Sequence, residues 1–247
     1  MRFLAPALVF ALISLQAPAY AQGLGGLFGG KNDAPKDGPQ ALSPEDALKQ
    51  GAGMITYVAV ATGIGIDALD QIRQAYPAGK FPAIESLCNR YAEAKSKGQN
   101  LDLDSDTQKA FTDIGPEIAS LEKDYKGYQK EKATNFTKAN LKLMLAGGAD
   151  AFASTKLPNV LKGLQDGMND LLKNPFKAAQ AGKFKTQITT LTLIGQLIPV
   201  QVKCFQGVRQ VSKQVAAKEH LKLAPELDPS KIPTTDAELK KMSELDN

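Results

Sequence analysis

The chain has 247 residues, 43% of them hydrophobic but only 6% aromatic, with no tryptophan and a formal charge of +4. Such a core must be aliphatic and alanine-rich, which suits packed helices better than a β-sandwich, and the length allows one sizeable domain or two small ones. A single histidine and two cysteines leave no imidazole or thiolate cluster for zinc or copper, which sets aside most metalloenzymes.

Met1-Arg2 carries one positive charge, and Phe3 to Leu15 is uncharged and mostly apolar. Gln16-Ala17-Pro18 breaks that run before Ala19-Tyr20-Ala21, a small-x-small cleavage site. The pattern predicts a secretory signal over residues 1–21, cleaved after Ala21, and so a periplasmic or secreted protein. The apolar run is too short to span a bilayer. Residues 22–42 are rich in glycine, lack periodicity and read as a disordered linker.

Order begins at Ser43-Pro44-Glu45-Asp46, where a capping serine, a proline at the first helical position and two acids suit the positive end of a helix dipole. The helix behind it should reach about Ala75. Its stretch from Gln50 to Ile66 holds seventeen residues without a charge. A helix that is apolar all round belongs in the middle of a bundle or in a membrane. A second helix is expected at about 83–96 and a third near 106–114, stopped by Gly115-Pro116. A fourth should start at that proline and run through Leu141, Leu143 and Leu145 until Gly147-Gly148 loosens it. A fifth is expected at about 157–173, and a last long one at roughly 176–219, kinked by Pro199. That last helix holds a second uncharged seventeen-residue stretch, Thr186 to Val202. Pro225, Pro229 and Pro233 then keep 221–235 extended, with a short helix at 236–244.

The expected fold is therefore all-α: a bundle of five to six helices over 43–220, with two long, largely uncharged helices at its centre. The linker precedes it and a Pro-containing tail, 221–247, follows. The tail is net acidic and 43–220 net basic. In an exported protein that balance points away from nucleic acid and toward a solvated surface or peripheral membrane contact.

Motifs that carry chemistry are few. No nucleophile elbow, phosphate loop or dinucleotide fingerprint occurs, so neither catalytic residues nor a cofactor are expected. Asp102, Asp104 and Asp106 alternate as calcium-loop carboxylates do, with Asp113 in the twelfth position. Thr107 stands where the loop needs glycine, so the competing reading is an acidic start to the third helix capped by Ser105. Cys88 and Cys204 lie on apolar stripes, and an even count in an oxidising compartment predicts a disulfide between them. Val58, Thr62, Gly63 and Gly65 mark a potential apolar groove, since small residues leave room for a ligand and a threonine could hold its polar end. The function that follows is binding without catalysis, of a partner protein in a bacterial envelope assembly or of an apolar or lipid ligand. The alternative is a membrane-active, pore-forming-like protein that releases its uncharged helices into a bilayer.

Overall fold

A computed structural model of the chain describes residues 43–173 and 181–244, and every regular element among them is helical. The predicted signal (1–21) and linker (22–42) lie outside the described residues. The helices are α1 (Pro44–Arg73), α2 (Pro82–Ser96), α3 (Ser105–Asp113), α4 (Gly115–Lys123), α5 (Thr134–Leu172), α6 (Ala181–Lys218) and α7 (Asp236–Glu244). The fold is an all-α bundle.

Helix α1 starts as its sequence dictates. Ser43 Oγ accepts the Asp46 N–H at 3.1 Å, Pro44 opens the first turn, and Glu45 and Asp46 sit at the dipole's positive end. From Tyr57 to Leu69 every residue but Val60 and Asp67 is buried. The missing charges are explained by its neighbours: α2, α5, α6 and α7 all pack on α1, leaving it no solvent side in this stretch.

The fourth predicted helix is not one helix. It ends at Lys123, two single 3₁₀ turns follow (Tyr125–Gly127 and Lys130–Lys132), and α5 begins at Thr134. Tertiary contacts capture the backbone here. Tyr76 Oη donates to the Tyr125 carbonyl at 2.9 Å, and the Gln129 N–H donates to Ala75 O at 2.7 Å. Asn135 Nδ2 donates to Gln71 O at 2.9 Å, and Phe136 meets Tyr76 and Tyr128 edge-on at 6.1 and 5.4 Å. Helical bonds through 124–133 would forfeit these contacts.

The expected division at Gly147-Gly148 is absent, and α5 runs unbroken through Pro158. Gly148 serves close approach instead, because a Cβ there would collide with Ile232. Pro158 is tolerated because it and Ser154, whose carbonyl loses its helical donor, both face solvent. Pro199 in α6 is likewise exposed.

The central pair also differs from expectation. It is α1 and α5, not α1 and the last long helix. Residues 139–146 of α5 are buried apart from a half-buried Leu141, whereas the uncharged stretch of α6 is two-faced. Leu191, Ile194, Leu197, Ile198 and Gln201 turn inward, while Thr186, Thr189, Thr192, Gln196 and Pro199 face water. Helix α6 ends with His220 in the left-handed region (φ 54°) and the Leu221 N–H on Ala216 O at 2.8 Å.

The boundary at 220 leaves out a segment that packs on the bundle. Residues 221–235 are extended and α7 follows, as predicted, but the chain returns across α1 and α5. Tyr57 Oη donates to Pro233 O at 2.7 Å, Ile232 seats on Gly148, and Leu239 is fully buried. Glu226 bonds Arg209 and Lys213 at 2.7 and 2.9 Å, so the acidic tail meets the basic bundle.

Candidate functional site

The predicted groove residues lie in the core, and their free space is filled. Val58 and Thr62 have no solvent exposure. A Cβ at Gly63 would lie 2.6 Å from Tyr91 Oη of α2, and one at Gly65 would collide with the tip of the Phe205 ring of α6. The glycines admit aromatic rings from neighbouring helices, so no ligand groove exists at these four positions. An open cleft of about 690 Å³ lies elsewhere, between the N-terminal ends of α1 and α6, lined by Leu48, Lys49, Gly182, Lys183, Thr186 and Gln187.

The predicted disulfide is absent, because the two cysteines face different neighbours. Cys88 on α2 points at α1, with its Sγ 3.9 Å from Ile66 O, and Cys204 on α6 points at α3, 3.6 Å from Phe111 O. Both thiols are free and buried. Burial pushes Cys88 up to about 12, with Asp70 adding to the shift, and burial pushes Cys204 up to about 11. A thiol attacks as its thiolate, so both should be inert to labelling at neutral pH in the folded protein. Unfolding in denaturant without reductant should release two reactive thiols per chain. Finding none would restore the bridge.

The calcium reading is also corrected. Asp104, not Ser105, caps α3, its Oδ1 accepting the Thr107 N–H at 2.8 Å, and Thr107 Oγ1 donates to Asp102 O at 2.7 Å. Asp113 pairs with Lys109 at 2.6 Å, one helical turn away. Among the described residues no three His, Cys, Asp or Glu side chains gather as a metal site would require. The alternation of aspartates follows from starting a helix, where an oxygen acceptor and negative charge are both favourable.

The group the sequence reading missed is Asp150. It lies on the apolar stripe of α5 formed by Leu143, Ala146, Ala153 and Leu157, has no solvent exposure, and neither carboxylate oxygen has a hydrogen-bond partner. Burial alone holds its carboxyl well above the usual carboxylate range. Tyr57 of α1 feels the same charge, its phenol raised first by burial and then by Asp150. Leu157 abuts Gly195 of the antiparallel α6, with 3.1 Å to a Cβ there. Gln201 is buried, donates from Nε2 to Thr62 Oγ1 at 2.8 Å, and leaves Oε1 unpartnered. The core thus holds two buried polar groups with unpartnered acceptors, Asp150 on α5 and Gln201 on α6. A lone acid at a stripe position between small apolar residues was the available signal, masked by the glycines before it.

Neither family models, curated proteins nor solved structures match this chain. Its class is defined by its own fold: a helical bundle with a buried carboxyl in its central layer and a C-terminal segment strapped across its two innermost helices.

Proposed function

We propose that the protein is an exported, non-catalytic bundle that works by binding, with a partner protein of a bacterial envelope assembly as its target. Export is supported by the pattern of residues 1–21, and an apolar ligand is disfavoured because Tyr91 and Phe205 occupy the space it would need. The observation that carries the reading is the outer face of α6. Between Lys185 and Lys203 it presents Thr186, Thr189, Thr192, Gln196 and Pro199 to water and no charge, on a chain with 30 basic and 26 acidic residues. Charged groups are depleted at the cores of protein interfaces because they are costly to desolvate.

A photo-crosslinking residue at Thr189 or Gln196 should give one discrete adduct in the producing cell, and Gln196→Glu should abolish the adduct formed from Thr189. These sites are exposed, so stability should stay within about 0.5 kcal/mol. Equal crosslinking from Ser154 on the exposed side of α5 would defeat the proposal.

One observation favours the membrane-active alternative: α1 and α6 are both long and apolar enough to cross a bilayer. The most apolar window of α1 is 67% buried, as a core helix would be, against 39% for α6. Dye release from anionic vesicles by the purified protein would select that alternative.

A further inference from the structure

Burying a carboxyl without a partner is costly in either protonation state, and far more so when it is ionised. Asp150 stands within two residues of one anchor of the C-terminal strap, Gly148, on which Ile232 seats. Electrostatically it faces the other anchor, Tyr57, whose hydroxyl holds the Pro233 carbonyl. Loss of the proton from Asp150 leaves a bare anion with no hydrogen-bond partner and no solvent.

The other groups around it cannot absorb that charge. Helix α1 presents Tyr57, whose ionisation would only add negative charge, and the neutral Thr62. Helix α6, which packs on α5, turns the neutral Gln201 inward, while the neighbouring Lys203 is exposed. The strap presents the Pro233 carbonyl, already taken by Tyr57. On α5 itself Lys142 lies two turns back, buried and engaged in an interaction of its own.

We propose that Asp150 is a proton-operated latch: with its carboxyl protonated, α5 and the C-terminal strap stay packed on α1, and loss of the proton separates them. The inference is independent of what the outer face of α6 binds. The sign follows from linkage. An aspartate exposed by opening ionises near its ordinary value of about 3.9, whereas in the closed bundle it keeps its proton to higher pH. Between those two values the open state binds fewer protons. Closure is therefore complete in acid and weakens about tenfold per pH unit as pH rises, levelling off once the closed form ionises too.

The test is hydrogen exchange of the full chain between pH 5 and 8, corrected for intrinsic exchange, on wild type and Asp150→Asn. Protection of peptides covering 143–157 and 230–240 should fall as pH rises in wild type, by up to about tenfold per pH unit until the closed form ionises, and stay flat in the variant. Carbon-13 carboxyl NMR of aspartate-labelled wild type supplies a reading that needs no variant: one aspartate should keep its proton to distinctly higher pH than the others. The proposal is overturned if every aspartate titrates in the ordinary range, if protection at those peptides ignores the titration, or if Asp150→Asn keeps the wild-type slope.

Discussion

Gly65→Ala is expected to destabilise the bundle by about 1–3 kcal/mol, although alanine is the better helix former. The added Cβ would collide with the tip of the Phe205 ring. That ring is 1% exposed and held edge-on against Phe111 at 6.0 Å, so it has nowhere to swing. Gly63→Ala should cost less, since its obstacle is the end of the half-buried Tyr91 side chain, which can yield toward solvent. Phe205→Leu alone should also destabilise, but in the double variant it should recover most of the alanine penalty. Urea titration of the two single variants and the double variant measures this coupling. Additive effects would mean that Phe205 does not fill the space over Gly65, and the ligand groove would reopen as a question.

Leu239→Ala is expected to cost about 2–5 kcal/mol, the range for emptying a fully buried leucine site. The cost arises because α7 lies on α1, the innermost helix, so a vacancy there opens the centre of the bundle. Ending the chain after His220 should be worse, because it also removes Ile232 from Gly148, the Pro233 carbonyl from Tyr57 and Glu226 from Arg209 and Lys213. Thermal melts monitored by circular dichroism, with limited proteolysis of the same samples, provide the measurement. A truncated chain that melts with wild type would show that the domain does end at 220.

Where the determining physics is local, the sequence was sufficient. Ser43 caps α1 through its own next turn, Pro44 presets the entry, and the uncharged run from 50 to 66 requires a helix without a wet side. The all-α class follows from the same periodicity, repeated along the chain. Only the tertiary structure decided the rest, because those outcomes depend on which surfaces meet. A glycine pair in a helical pattern signals either a break or a close approach, and Ile232 makes Gly148 the second. Two cysteines on apolar stripes bridge only if they face one another, and these face Ile66 and Phe111 instead. Residues 124–133 are helical by pattern, yet Tyr76, Ala75 and Gln74 offer their backbone and side chains better partners than the helix would. Asp150 stands out in the sequence only by its place on an apolar stripe, and a buried carboxyl differs from an exposed one through the water that packing takes away.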